Sequence, residues 1–213
     1  REGEQASEVF VVLRGELVAL SRSDGREAEV GRVTAGDIVG EVTAVAGGQR
    51  TATLEAAKPT EVAVIGRSEF EAWLSARPDL GDEVSVQARD RIDRIQLVRM
   101  FDRFLGVTDD ELMSDLLAQV AWGRGEAGEL LFRQGDVSDA AYFVVSGRIA
   151  VTMSDGDGRE RRVRELARGE VVGELGLLDR APRTATVRSV RDTTLARFDA
   201  ASFERLITRH PQL

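Results

Sequence analysis

The chain repeats itself. Gly36-Asp-Ile-Val-Gly-Glu41 returns as Gly169-Glu-Val-Val-Gly-Glu174, and nine residues after each glutamate comes Arg-Thr-Ala-Thr, at 50–53 and again at 183–186. The offset is 133 for these segments, and Phe70 with Phe203, Pro78 with Pro211 and Leu80 with Leu213 keep it. Upstream the offset is 132, pairing Arg1 with Arg133, Gly3 with Gly135, Phe10 with Tyr142 and Gly15 with Gly147. The one-residue change falls between Gly15 and Gly36, in a Ser/Asp/Gly/Arg stretch that reads as a hairpin turn, where insertions are tolerated. Two copies of one unit constrain the fold more than any other feature: whatever architecture is built is built twice.

The alignment opens the second copy near Phe101, 32 residues before Arg133, whereas the first copy is entered at Arg1. The first copy is therefore expected to lack its opening helix and first strand or strands, and the chain reads as an excerpt from a longer protein. The expected domains are 1–80 for the incomplete first copy, 81–100 for a connector helix, and 101–213 for the second copy.

Within each copy the first part reads as β. Val9–Leu13 and Tyr142–Val145 are β-branched and aromatic runs ended by Gly15 and Gly147, and Leu17–Leu20 and Ile149–Thr152 follow. Polar turns, Ser21 to Gly25 and Ser154 to Gly158, close these. Thr51–Leu54 and Thr184–Val187 predict further strands, and Glu61–Ile65 and Thr194–Phe198 the last ones. Many short strands at ~8–12 residue spacing suggest a sandwich or jelly roll. Helices flank them. Thr108-Asp-Asp-Glu111 is a capping box ahead of Leu112, Leu116 and Leu117. Ser68 and Ser202 precede helical patterns containing Phe70 and Phe203. From Gly81 to Met100 the apolar residues Val84, Ala88, Ile92, Ile95 and Val98 follow a 3.6-residue period, the mark of an amphipathic helix. Its other face, with Arg89, Asp90, Arg91, Asp93 and Arg94, reads as a solvated charged face. Trp73, Trp122 and Tyr142 read as core or half-buried packing, and His210 as a surface residue.

Composition excludes several functions. With 42% hydrophobic and 31% charged residues the chain is globular. No apolar run approaches the ~20 residues of a membrane span. No signal-peptide pattern opens the chain, so a cytoplasmic location is expected. There is no cysteine, which removes disulfides, thiolate metal sites and cysteine nucleophiles. A single histidine, His210, removes histidine metal clusters and the Ser-His-Asp triad. Lys58 is the only lysine among 29 Lys and Arg residues, and no P-loop or nucleophile elbow is present. We therefore expect no catalytic residue, no metal and no enzyme activity within this chain. A net charge of −8 argues against nucleic acid as a partner.

The segment from Val172 to Thr186 carries the chemistry. Gly173 and Gly176 allow backbone to approach a ligand closely. Glu174 opens a short turn of helix with Leu175, Leu177 and Leu178, where free N–H groups attract an anion. An acid at the same place favours a guest that offers both an anion and a hydroxyl donor. Arg183 supplies a planar cation, and Pro182 fixes the turn back to a strand.

Gly-Glu-Leu-Gly-Leu followed by Pro-Arg-Thr-Ala-Thr resembles the phosphate-binding cassette of the cyclic nucleotide-binding domain family, known from cAMP receptors and protein kinase regulatory subunits. Gly135, Gly147 and Gly169 fit the turns of that family's eight-strand roll. The resemblance covers nearly all of 101–213, and 1–80 as a truncated copy. It implies a mainly β fold with flanking helices, in which two β-roll domains are joined by a connector helix. It also implies a cyclic nucleotide as ligand, cAMP favoured over cGMP, with no other cofactor. By the resemblance Arg183 pairs with the cyclic phosphate, the amides of Gly176 and Thr184 bond its oxygens, and Glu174 takes the ribose 2′-hydroxyl. The ligand-binding set is then Gly173, Glu174, Leu175, Gly176, Arg183, Thr184 and Ala185 in the second copy. In the first it is Gly40, Glu41, Arg50, Thr51 and Ala52. The first copy departs from the pattern at Thr43, where the second has Gly176, and at Gln49, where it has Pro182. Gly47-Gly48 also weakens its short helix. A lid over the base comes in this family from a helix after the roll, which for the first copy is 81–100.

The function expected is a regulatory sensor that binds a cyclic nucleotide and controls an effector domain or subunit in the parent protein. The alternative is a degenerate, ligand-free interaction module of a larger enzyme such as a patatin-like esterase. A cAMP-receptor-like transcription factor needs a helix-turn-helix and a basic surface, and neither is visible.

Overall fold

The computed structural model describes residues 1–23, 26–105, 110–155 and 157–209. Gly25, Thr108, Asp109, Gly156, His210, Pro211 and Leu213 fall outside the described residues, and with them the first half of the expected capping box. The chain forms two compact units, Arg1–Arg103 and Phe104–Leu213.

Unit 1 contains β1 (Glu8–Arg14), β2 (Glu16–Ser23), β3 (Arg26–Thr34), β4 (Ile38–Val39), α1 (Glu41–Ala46), β5 (Thr53–Ala56), β6 (Glu61–Gly66), α2 (Arg67–Ala76) and nearly all of α3 (Pro78–Leu105). Its strands form two three-stranded sheets, ordered β4-β1-β6 and β3-β2-β5. Unit 2 contains α4 (Asp110–Ala118), β7 (Ala121–Gly125), β8 (Leu130–Phe132), β9 (Ala140–Ser154), β10 (Glu160–Ala167), β11 (Val171–Val172), α5 (Glu174–Leu178), β12 (Thr186–Asp199) and α6 (Ala200–Arg209). Its sheet runs β10-β9-β12-β7, with β11 on β9 and β8 on β12. All these pairings are antiparallel. Both units are β-rolls with flanking helices.

The repeat survives in the register. Phe10 faces Val39 and Val64 in unit 1, as Tyr142 faces Val172 and Arg197 in unit 2. Each of these pairs is related to its counterpart by the sequence offsets. Gly15 and Gly147 show why glycine recurs at that turn. Both have positive φ, and a Cβ on either would lie 2.4–2.6 Å from the backbone of Pro59-Thr60 or Asp192-Thr193. The threonine on the facing segment closes the turn: its Oγ1 accepts the amide of Glu16 at 3.0 Å in unit 1 and of Arg148 at 3.2 Å in unit 2.

The interior of unit 2 is one apolar cluster of Phe132, Val144, Ile149, Leu166, Val172, Val187 and Leu195. In unit 1, Val12, Val33 and Val39 fill the roll, while Val9, Phe70 and Val84 join β1, α2 and α3. Burying each such side chain stabilises by roughly 1.5–3 kcal/mol. The β-branched runs expected as strands supply most of these residues.

Several expectations change in detail. The segments around Tyr142 and Ile149 are one strand, β9, running through Gly147, and Thr194–Phe198 continues from Thr186 in β12. Shifts in β9–β12 register between Ser189 and Leu195 absorb the turn that Gly147 makes. Thr184 and Ala185, like Thr51 and Ala52, precede their strands as bends. Ser68 and Ser202 lie inside α2 and α6. Asp199 caps α6 instead, its Oδ1 accepting the Ser202 amide at 2.7 Å, and the Ser202 amide and hydroxyl hold the Asp199 carboxyl below its ordinary value. The charged side of α3 is not a uniformly solvated face: Arg89, Asp90 and Arg94 are exposed, but Asp93 is buried and Arg91 is partly so. Trp73 packs against Phe70 with 6.1 Å between ring centroids, and both Trp73 and Trp122 remain partly exposed. No helix among the described residues is long and apolar enough to cross a membrane.

Two glycines separate backbone strain from steric clash. Gly135 (φ +90°) has open space where a Cβ would stand, whereas Gly147 (φ +91°) has Asp192 O at 2.4 Å. We expect Gly135→Ala to cost about 1 kcal/mol and Gly147→Ala about 3 kcal/mol or more. Urea denaturation followed by circular dichroism measures both, and equal costs would refute the distinction.

Candidate functional site

Each cassette is built on a left-handed glycine. Gly40 (φ 88°) and Gly173 (φ 85°) end β4 and β11 and turn the chain into α1 and α5. No L-residue adopts that conformation without strain, and Cβ is also excluded by the arginine ten residues on. Arg183 Nη1 donates to Gly173 O at 3.0 Å, and Arg50 Nη1 to Gly40 O at 3.3 Å. The spacing legible in the sequence is thus a closed loop: glycine, glutamate, one helical turn, then an arginine bonded back to the glycine.

In unit 2 the structure brings together Gly173, Glu174, Leu175, Gly176, Arg183, Thr184 and Ala185 around a cavity of about 110 Å³. Phe132, Leu166, Val172 and Val187 line the rest. The Arg183 side chain is 1% exposed. Its guanidinium lies over the Phe132 ring at 4.1 Å and near Tyr142 at 5.7 Å, so aromatic faces take part of its charge. Nη2 donates to Asp139 Oδ1 at 2.9 Å, and Nε is buried without a partner among the described residues. Glu174 is only partly buried and makes no hydrogen bond or ion pair among the described residues. Arg183 and Glu174 therefore do not pair with each other. A cation and an acceptor share one cavity, each with hydrogen-bonding capacity unused.

Asp139 is a site residue that the motif does not contain. It bridges Arg183 and Arg197, accepting from Arg197 Nη2 at 2.8 Å through its second oxygen. Burial pushes the Asp139 carboxyl up, but the Arg197 hydrogen bond, its own backbone amide and the two arginine charges outweigh this. It titrates below its ordinary value. Comparison of the copies carried the signal: Ser7 stands where unit 2 has Asp139. Accordingly Arg50 Nη2 donates to the carbonyl of Glu8 at 2.7 Å, and no carboxylate among the described residues bonds it.

In unit 1, Gly40, Glu41, Arg50, Thr51 and Ala52 line a cavity of about 80 Å³, with Ile95 and Arg91 of α3 completing its wall. Glu41 is 1% exposed, and its Oε1 accepts from Arg91 Nη1 at 2.5 Å. Thr43 fits where unit 2 needs Gly176 for a reason the paired positions show. A Cβ on Gly176 would lie 2.0 Å from Ser138 Oγ, and the residue matching Ser138 in unit 1 is Ala6.

A larger cavity of about 660 Å³ lies between α5 and α6, lined by Val137, Leu178, Pro182 and Phe203 among others. Neither Glu174 nor Arg183 reaches it, so its size does not make it the site. Among the described residues no cluster of His, Asp or Glu could hold a metal.

A family profile described as cyclic nucleotide-binding domain matches residues 1–77 and 124–210. The chain is 30% identical over 215 residues to patatin-like phospholipase domain-containing protein 6 of Mus musculus, spanning 100% of this chain and 15% of that protein. It is 40% identical over 90 residues to lysophospholipase nte1 of Aspergillus terreus, spanning 42% of this chain and 6% of that one. The chain thus corresponds to a small part of these relatives. Among solved structures, a mutant regulatory subunit of a cAMP-independent protein kinase A from Trypanosoma brucei, bound to cAMP in its A site, matches with a TM-score of 0.51. That match has 20% identity and covers 100% of this chain and 74% of the other. At that identity the likeness concerns the fold.

Asp139 supplies a pH-dependent prediction. Its folded pKa lies below its unfolded one, so its contribution to stability is complete above about pH 4 and is lost as pH falls through the depressed value. Asp139→Asn should cost about 1–2 kcal/mol at neutral pH, because the carboxylate is 58% exposed and solvent screens the bond. It should also flatten stability against pH below about pH 4. Chemical denaturation across pH tests both; an unchanged acid limb would exclude the role given to Asp139.

Proposed function

The chain belongs to the cyclic nucleotide-binding domain family, and from that premise we propose that it is a regulatory sensor. It binds a cyclic nucleotide, cAMP in preference to cGMP, and controls an effector outside this chain. The observation that carries the reading is the cavity of unit 2, lined both by a buried guanidinium whose Nε is unpaired and by a partly exposed carboxylate that has no partner among the described residues. A cyclic nucleotide offers what each lacks: a phosphate with one negative charge for Arg183 and a ribose hydroxyl for Glu174. Gly176 and Thr184 line the same cavity, and in this reading their amides bond the phosphate oxygens. The apolar wall of Leu166, Val172, Val187 and the half-exposed Leu175 suits the sugar and base. At about 110 Å³ the cavity is smaller than the ~300 Å³ usual for small-molecule sites. In this reading a nucleotide enters only if the cavity, whose wall includes Leu175, widens.

The effector follows from the relatives by the same reasoning. Two of them are named for phospholipase activity, and this chain matches only a small part of each. We take the chain to be the regulatory part of such a protein, its own residues binding ligand and doing no chemistry. A second reading, a degenerate module that binds no ligand, is favoured by one observation: Asp139 already satisfies Arg183 Nη2.

Isothermal titration calorimetry of the chain with cAMP and then cGMP distinguishes the two. Loss of Arg183 removes a charge-assisted contact of ~1.5–3 kcal/mol, so Arg183→Ala should weaken binding roughly 10–100-fold. No heat with either nucleotide from a folded chain would replace the sensor with the ligand-free module. Unchanged affinity in Arg183→Ala would remove the cassette assignment.

A further inference from the structure

The outward sheet faces of the two rolls are inverted copies of each other in charge. In unit 1 this face is carried by β2, β3 and β5, and in unit 2 by the matching parts of β9, β10 and β12. Leu17 and Val33, and in unit 2 Ile149 and Leu166, belong to the cores, so their neighbours along each strand point outward. The middle rung of the unit 1 face pairs Val18 with Arg32 on one side and Glu55 on the other. The matching rung of unit 2 pairs Ala150 with Glu165 and Arg188. The sequence offsets relate these residues one to one, so arginine and glutamate have changed places at both ends. The same holds for Glu16 against Arg148 and Glu29 against Arg162. Three acids and one base in unit 1 stand where unit 2 has three bases and one acid. Every other charged position that both copies share keeps its sign, as Glu41 with Glu174, Arg50 with Arg183 and Lys58 with Arg191 do.

Local ion pairing accounts for three of the four reversals. Arg32 is shared by Glu16 at 2.6 Å and Glu29 at 2.8 Å, and Glu165 by Arg162 at 2.6 Å and Arg148 at 3.2 Å. The fourth is not explained in this way, because Glu55 and Arg188 have no ionic partner among the described residues. Each adds to the excess left by its triplet, negative in unit 1 and positive in unit 2. Lys58 reaches Glu16 from the edge and reduces the negative excess without cancelling it. We infer that the two faces bind each other, unit 1 of one chain docking on unit 2 of a second copy. One arrangement satisfies all four positions. With the sheets face to face, their strands antiparallel and the middle rungs superposed, Arg32 meets Glu165 of the second copy and Glu55 meets its Arg188. Val18 meets its Ala150 between them. Glu16 then stands one strand, about 5 Å, from Arg162 of that copy, and Glu29 one strand from its Arg148. Two unit 1 faces, or two unit 2 faces, brought together in the same way would set like charges opposite one another, which excludes those pairings. Such a contact either closes reciprocally into a two-fold dimer or runs on from head to tail.

Sedimentation velocity of the full chain over a concentration series tests the contact. At about 0.05 M salt the wild type should sediment above its monomer mass of 23.2 kDa, increasingly so with concentration. At about 0.5 M salt, where the Debye length falls to roughly 4 Å, it should revert to monomer. A dimer and a longer series both support the contact. Glu55→Arg and Arg188→Glu each set like charges opposite one another and should weaken association at least about tenfold. The two substitutions together restore the opposition of charge and should recover most of that loss, a rescue open only to residues that face each other. Circular dichroism checks that each variant is folded. Should a reversal fail to fold, Glu55→Gln and Arg188→Gln remove the pair without repulsion, and each should weaken association roughly two- to fivefold. A chain that is monomeric at low salt, association indifferent to salt, or a double variant no tighter than the single ones would overturn the contact. None of these residues belongs to either cassette, so the result is separate from that of the nucleotide titration.

Discussion

An arginine bonded to the carbonyl of a left-handed glycine holds each cassette together. The Arg183–Gly173 and Arg50–Gly40 bonds close ten-residue loops that contain the glutamate, the short helix and the turn back to a strand. Without that closure α1 and α5, at six and five residues, are far too short to persist by helix propensity. With it, the first-turn glutamate and the arginine are held in one place by backbone geometry. The rolls serve this arrangement. β11 and β4 pair with β9 and β1 at matching positions, and this registry delivers the glycine to the arginine in both units.

The copies have taken that shared frame in different directions. Unit 2 surrounds Arg183 with Phe132, Tyr142 and Asp139 and leaves Glu174 open. Unit 1 gives Arg50 two backbone carbonyls and engages Glu41 with a helix. A buried carboxylate is costly unless paired, and Arg91 meets that need only by tying α3 to the site. The electrostatic demand of one side chain thereby becomes a mechanical connection between the unit 1 cavity and a 28-residue helix. Ligand-dependent movement of such a helix is a means by which a regulatory domain can act on something outside itself.

The strands, both cassettes and the long helix were legible from residue patterns because their determinants are local. Alternating β-branched residues mark strands, 3.6-residue periodicity marks α3, and a glycine, glutamate and arginine at fixed spacing mark the cassette. Where the reading of Arg91 needed correction, the cause was a distant partner. Arg91 and Asp93 look like solvated charges in a helix pattern, since nothing within a few residues distinguishes a paired arginine from a free one. The continuity of β9 through Gly147 was equally hidden. A glycine with positive φ can either end a strand or bend it, and only the register of β12 decides.

By itself, then, the sequence determined that there are two β-rolls, where their turns fall, and that each carries a glutamate and an arginine nine residues apart. Short-range sterics and hydrophobic period are sufficient for that. Tertiary structure alone decided what those two charges touch. Asp139 reaches Arg183 across 44 residues, and Arg91 reaches Glu41 across 50. Ion pairs of that range are set by which elements the folded topology places side by side, and charge has no periodicity from which that could be read.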